Sequence, residues 1–340
     1  MRISLIGDAD DARWDGYVIP RSSAITDLYA WRRVVRETYG IRSHFLTVID
    51  ADRIAGALGL YEIKHPLFGH YLTTAVFGND GGFHFDNLDA RDALVTEARN
   101  LADNLDVAYL VIRGRGLELE GFRVARDYAS AIVDLDEGAD ALWKRLPAKT
   151  RNQARRGMKE GFTLETGHNQ LGPFFDVFHE HMRDLGSPAH SRKYYEKIIE
   201  HLGDRVEFLV VRDGNTVAAG AVLCTINHTA MNLHTVSLRR FNQRCPNYLL
   251  YWRMLEMATA KGCKWFDMGR SRADSPQLRF KSNWNPREIT LTYNYLLRTL
   301  KDLPDIDPRN QKYRIQIALW QKMPLFVTRA LGPRLIPGLA

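Results

Sequence analysis

Short runs with apolar residues at every second position, or continuously apolar, alternate along the chain with stretches whose apolar residues recur every three to four positions. Strands therefore alternate with helices, and the class is α/β or α+β. The pattern is told twice. In the first half, Phe45-Leu46-Thr47-Val48-Ile49 leads through Asp50-Ala51-Asp52-Arg53 into Ile54-Ala55-Gly56-Ala57-Leu58-Gly59-Leu60. In the second, Phe208-Leu209-Val210-Val211-Arg212 leads through Asp213-Gly214-Asn215-Thr216 into Val217-Ala218-Ala219-Gly220-Ala221-Val222-Leu223. Both predict strand, tight turn, strand. Each hairpin is followed by a further strand (70–76; 230–236), a polar loop (78–82; 237–246), a helix (90–104; 247–261) and a strand (108–112; 264–268). Gly121-Phe122 and Asn283-Trp284 then each precede one more strand pattern, 128–135 and 289–297. The offset of about 160 residues is a domain length and not a solenoid period. Two copies of one module follow, residues 1–142 and 143–300, with a tail over 301–340.

Charge separates the copies. The 340 residues carry 47 Lys+Arg and 40 Asp+Glu, a net +7. Residues 1–140 hold 15 basic and 23 acidic side chains, −8, and residues 141–340 hold 32 and 17, +15. The densest run, 144–161, has seven basic residues and one acidic. In a helix, Arg151, Arg155 and Lys159 stack along one side, with Ala154 and Met158 along another stripe. Such a stripe is either a solvated face or a polyanion contact.

At 45% hydrophobic and 26% charged, the composition excludes a disordered, collagenous or disulfide-built chain. Cys224, Cys245 and Cys263 are odd in number, widely spaced and without a CxxC pair, so they suggest neither a disulfide framework nor a structural zinc site and point to a reducing cytoplasm. Acidic residues interrupt the apolar start before a signal-peptide core can form, and no apolar run reaches the ~18 residues of a membrane span. In the last twenty residues Trp320, Met323, Leu325, Phe326, Val327, Leu331, Leu335 and Ile336 interleave with Lys322, Arg329 and Arg334, while Pro324, Pro333 and Pro337 forbid one long helix. This tail either packs on the body or makes a peripheral membrane contact, which would place the protein at the inner face of the membrane.

A hairpin with small residues, then strand, polar loop, helix and strand, resembles the GNAT acyltransferase fold. Two such modules, the second opened by Thr150-Arg151-Asn152-Gln153-Ala154-Arg155-Arg156, resemble the FemAB-type aminoacyltransferases that add amino acids to peptidoglycan precursors. The likeness is carried by Trp31, Asn79-Asp80-Gly81-Gly82, residues 182–190, Pro246-Asn247-Tyr248-Leu249-Leu250-Tyr251-Trp252, Phe266-Asp267-Met268-Gly269-Arg270-Ser271 and Phe280-Lys281-Ser282-Asn283-Trp284. It spans nearly the whole chain and is nearest in character to the FemAB-like proteins that accompany exopolysaccharide and exosortase systems. It implies tandem GNAT modules with a central cleft.

Two departures matter. The loop Arg239 to Asn247 lacks the glycines with which GNAT enzymes hold the coenzyme A pyrophosphate at a helix N-terminus, leaving Arg239, Arg240 and Arg244 to meet an anion through their side chains. The Arg and Tyr that peptidoglycan-type members space four apart are here His190 and Tyr194.

Acyl transfer to an amine needs a neutral amine, a partner for the oxyanion and help for the leaving group. The resemblance assigns oxyanion stabilisation to the Lys281 ammonium. Glu118-Leu119-Glu120 stands at the matching place in the first copy, so only the second module would react. Asp267, near the end of a strand and followed by Arg270 and Arg272, either accepts a proton or fixes its loop. Arg32, Arg33, His190, Tyr194, Arg240, Asn247, Arg270 and Phe280 are the candidate substrate-binding residues. His234 reads as a core histidine, and His179 and His181, two apart on a helix, do not form a metal pair. No metal site and no bound cofactor are expected. The donor is left open between aminoacyl-tRNA, acyl-CoA and an acyl-carrier protein, and the acceptor is an amine of a cell-envelope precursor, peptidoglycan-like or polysaccharide-linked. The alternatives are an acyl-CoA or acyl-carrier-protein dependent N-acyltransferase and a non-catalytic polyanion-binding protein.

Overall fold

A computed structural model describes residues 2–7, 10–304 and 311–339. The chain divides into two compact units, one of Met1–Ala129, Ile289–Ile306 and Pro337–Ala340, the other of Ser130–Glu288 and Asp307–Ile336. Part of the segment 301–340 expected to form a separate tail, 305–310, lies outside the described residues.

The first unit begins with β1 (Arg2–Leu5), α1 (Asp11–Val18) and α2 (Tyr29–Tyr39). It continues through β2 (Arg42–Asp50), β3 (Arg53–His65), β4 (Gly69–Thr73), β5 (Phe83–Phe85), α3 (Leu88–Asn104), β6 (Tyr109–Arg115) and the start of β7 (Arg123–Asp134). Its sheet runs β1-β2-β3-β4-β6, with β5 on β3. β4 and β6 pair in parallel, as the intervening α3 requires. Asn87 caps α3 by accepting from the Ala90 amide. Trp31, wholly buried in α2, ties that helix to the loop after β4 by donating to the Val76 carbonyl.

The second unit holds α4 (Ala139–Arg145), α5 (Ala148–Lys159), β8 (Thr163–Thr166), α6 (Leu171–Leu185), α7 (Arg192–Leu202), β9 (Val206–Asp213), β10 (Thr216–Ile226) and β11 (Thr229–Ser237). A 3₁₀ turn (Arg239–Arg244), α8 (Pro246–Ala260), β12 (Trp265–Arg272) and α9 (Pro276–Ser282) complete it. β13 (Arg287–Leu297) follows, and then α10 (Gln311–Lys322) and α11 (Leu325–Leu335). The sheet order is β12-β11-β10-β9-β8.

The duplication extends to a detail of register. In each hairpin the strands pair directly across the turn, Asp50 with Arg53 and Asp213 with Thr216, and one pair later a single residue bulges out, Ala55 in β3 and Ala218 in β10. A bulge breaks the strict alternation of faces, so its recurrence at the same step marks the two as copies of one design.

One assignment differs from the sequence reading. β13, expected inside residues 143–300, pairs antiparallel with β6 from Leu291↔Arg115 to Leu297↔Tyr109, so most of it belongs to the first unit. The end of β7 goes the other way, with Ala131 and Val133 joining the second unit's core beside Leu223 and Phe266. A strand pattern records that a segment is extended and which face is apolar, but not which of two similar sheets it joins.

Candidate active site

β11 and β12 pair in parallel over three residues only, Thr229↔Trp265, Ala230↔Phe266 and Met231↔Asp267. Beyond Asp267, where β12 runs on past its pairing with β11, the carbonyls of Gly269 and Arg270 accept from a side chain. Lys281 Nζ donates to Gly269 O at 2.7 Å and to Arg270 O at 3.0 Å. α9 delivers that lysine. Ser275 caps the helix by accepting from the Leu278 amide, Pro276 occupies the first turn, and Lys281 lies one turn further on the inward face.

Lys281 is 8% exposed and Asp267 2%. Asp267 Oδ1 accepts from Ser130 Oγ and from the Gly269 amide, each at 2.7 Å. Burial pulls the Lys281 pKa down to about 8, the Asp267 charge opposes the fall, and Arg270 adds to it. The lysine is thus an ammonium at neutral pH that needs little to release a proton. Two of its three donors are committed to the backbone, at Gly269 O and Arg270 O.

Aromatic rings wall the site. Phe280 lies 5.2 Å from both Tyr248 and Tyr251, and Trp284, fully buried, lies 5.8 and 5.7 Å from the same two rings. Tyr251 accepts from Asn232 of β11, and its burial pushes its pKa up to about 12. Thr150, at the start of α5, donates to the Asn283 carbonyl at 2.6 Å, fixing the turn after the lysine.

The remaining sequence candidates scatter. Asn247 stands in the first turn of α8, and its buried Oδ1 meets no hydrogen-bond donor among the described residues. Arg240 pairs with Glu180 of α6, while Arg244 is held by Glu160 and Asp213 and is no open anion contact. Arg151, Arg155 and Lys159 do lie on one helix, α5, whose opposite stripe buries Thr150, Ala154 and Gly157. Arg151 donates to the Lys144 carbonyl, and Arg155 sits 5.4 Å over the Trp143 ring.

His190 sits deeper than the sequence reading expects. It lies in a loop as the sequence suggests, but the loop is folded inward. Its ring stacks on Tyr194 at 4.0 Å and 13°, both are buried, and His234 and Tyr195 close around them. The pair therefore builds the core under α6 and α7, with the pKa of His190 held well below its ordinary value by burial. His179 Nε2 donates to the His190 carbonyl and His181 Nδ1 to the Ser237 carbonyl, so the two rings point to different neighbours.

In the first unit, Arg32 donates to the Ile6 carbonyl and the Tyr29 hydroxyl, and Arg33 pairs with Asp11 at 2.7 Å. Asp80 is paired with Arg115. A cavity of about 470 Å³ beside Asp80 is also lined by His84 and by Asp27, which bond each other at 2.8 Å. Sequence reasoning passed over this pair because its members are 57 residues apart. It passed over Ser130 for the same reason, since Asp267 is 137 residues away.

Known proteins bear on this arrangement. The acetyltransferase (GNAT) domain family matches residues 145–282, which contain β11, β12 and Lys281. No curated protein matches the sequence. Among solved structures, FemX is similar at a TM-score of 0.68 and 15% identity, over 88% of this chain and 98% of that one. A tandem GNAT protein from the clavulanic acid biosynthesis pathway is similar at 0.58 and 15%, over 88% and 99%. The C-terminal domain of a putative lysylphosphatidylglycerol synthetase from Agrobacterium fabrum is similar at 0.57 and 14%, over 84% and 91%. Residues 145–282 thus match an acetyltransferase (GNAT) domain, and the chain as a whole shares the fold of FemX and of the tandem GNAT protein.

Proposed function

We propose that this acyltransferase moves an acyl or aminoacyl group from an activated donor to an amine on a cell-envelope precursor, with Lys281 as the group that meets the developing oxyanion. One observation carries the reading: a buried ammonium beside the end of a short parallel strand pair, with two of its three N–H bonds given to backbone carbonyls among the described residues. When the amine nitrogen attacks the donor carbonyl, a C–N bond forms and the carbonyl π pair moves to oxygen. In this reading the buried Lys281 ammonium stabilises that charge in a low-dielectric setting, an effect worth about 10² to 10³ in rate. Collapse of the intermediate breaks the bond to the leaving group, which takes a proton from the Lys281 ammonium, and the surplus proton on the attacking nitrogen restores that ammonium, whose pKa of about 8 suits both transfers. Asp267 favours the charged lysine and, through Ser130 and the Gly269 amide, holds the end of β12 in place. Phe280, Tyr248 and Tyr251 offer an apolar wall to the acyl chain or the donor's ring system.

The donor reading favours a charged tRNA or a carrier protein over free coenzyme A. The turn before α8 has no glycine, and the Cys245 carbonyl that ends it lies against Gly157 of α5, 2.7 Å from where a Cβ would stand. Melting temperatures in the presence of acetyl-CoA, an aminoacyl-tRNA and an acylated carrier protein separate the three, since a donor bound only by the folded state raises the transition. A shift with acetyl-CoA alone would overturn this choice of donor. Loss of transfer in Lys281→Ala with an intact fold tests the mechanism.

A further inference from the structure

α10 and α11 pack against α6. Ile317 lies against Gly186 at the end of α6, where a Cβ would stand 2.4 Å from its Cγ2, and Trp320 is buried one turn later. Gly332 of α11 sits 2.9 Å, from the position of its missing Cβ, to the backbone of Ala189, and Arg329 pairs with Asp176. A helix docked this way ordinarily turns polar residues outward. Here the outward face of α10 carries Ile315, 72% exposed, and Leu319, 56% exposed, with Ala318 between them and Arg314 and Lys322 at either side of one shallow groove. Phe326, at the start of α11, is 74% exposed.

From these features we infer that the α10–α11 face is a docking surface for an anionic lipid bilayer, which the pair meets lying flat. Apolar side chains ringed by lysine and arginine, on helices that do not span, are the composition of an interfacial membrane contact. Residues 311–340 contain Lys312, Arg314, Lys322, Arg329 and Arg334 and no Asp or Glu; Arg329 is taken up by Asp176, while Arg314 and Lys322 flank the exposed apolar groove, where their charge complements phosphatidylglycerol-type headgroups. The same charge disfavours a second copy of this face, because like would meet like. Ile315, Leu319 and Phe326 disfavour a nucleic-acid backbone, which gives aliphatic side chains nothing to bury against. No helix among the described residues is long and apolar enough to cross a membrane, so contact would be peripheral.

The test is co-sedimentation of the full chain with vesicles of phosphatidylcholine, with and without about a quarter phosphatidylglycerol. The wild type is expected to sediment with the anionic vesicles and far less with the neutral ones, and to release as salt is raised. Arg314→Gln and Lys322→Gln should each weaken binding about fivefold. Leu319→Glu and Phe326→Glu, both at exposed positions and checked by circular dichroism, should each weaken it more than tenfold by removing the inserted side chain. The inference is overturned if the wild type ignores anionic vesicles, if both glutamate variants sediment like the wild type, or if the protein self-associates through this face instead, as a dimer dissolved by Leu319→Glu without vesicle binding.

Discussion

Replacing Lys281 by methionine keeps the length of the side chain and removes the charge, which makes its energetics readable from the effect of pH. The lysine holds its proton with a pKa of about 8 in the folded protein against 10.5 in the unfolded chain. Below pH 8 it is protonated in both states, and its contribution is constant. Between 8 and 10.5 the unfolded chain retains a proton that the folded protein has lost, so folding stability rises with pH, by ~3 kcal/mol over the whole window. At neutral pH two effects of Lys281→Met oppose each other. Relief of a buried charge stabilises by up to ~3 kcal/mol, and loss of the donor to Gly269 O and Arg270 O costs about 1–3 kcal/mol for each carbonyl left dry. The variant should therefore fold at pH 7 with a stability within roughly 3 kcal/mol of the wild type. The difference between them should then move by ~2 kcal/mol in favour of the wild type at about pH 9.5, because only the wild type gains. Urea unfolding followed by tryptophan fluorescence at both pH values measures this, and the other titrating groups cancel in the difference. A difference that does not change with pH would refute the burial of the ammonium.

Three further outcomes are expected. Asp267→Asn keeps an oxygen for Ser130 and the Gly269 amide but removes the charge that favours the Lys281 ammonium, so the alkaline limb of the transfer rate should move to lower pH; an unmoved pH profile would show that the two groups are not coupled. Burial lowers the pKa of His179 and of His234 to about 4, so the unfolded chain takes up protons between pH 6.5 and 4 that the folded unit refuses, and stability should fall across that range by on the order of 3 kcal/mol per histidine. His234→Phe, beside Phe178 and Tyr195, should flatten that acid limb, and an unchanged acid midpoint would count against it. Gly157→Ala, normally a gain inside a helix, should lower the melting temperature, because the new Cβ would stand 2.7 Å from the Cys245 carbonyl oxygen and 3.0 Å from Leu249 Cβ, a clash of about 1–3 kcal/mol; a higher melting temperature would show that α5 and α8 can part.

The duplicated hairpin was legible because period-two apolarity and a two-residue turn are local signals, and the bulges at Ala55 and Ala218 confirm the correspondence of the copies. α8 was legible within one residue at each end and β12 within one at its start, though β12 runs four residues further than expected. What escaped was settled at long range. β13 is bound by pairing with β6, about 180 residues earlier, and nothing in Leu291 to Leu297 names that partner. Lys281 was singled out by the resemblance and not by its local pattern, and its burial follows from Ser275 and Pro276 setting the phase of a seven-residue helix. His190 misled because Ser187-Pro188 marks a loop truthfully but not the direction in which the loop folds. Arg32 and Arg33 were placed on the right helix, and their contacts with Tyr29, Ile6 and Asp11 depend on β1 and α1 arriving beside it.

The most direct test is the single-turnover rate at which the wild type and Lys281→Ala pass a labelled acyl group to an amine acceptor, using whichever donor raises the wild-type melting temperature. The account predicts a loss of about 10² to 10³-fold with an unchanged circular dichroism spectrum and an unchanged donor-induced shift. A rate within about twofold of the wild type would contradict it, because Lys281 would then serve only to close the backbone of β12.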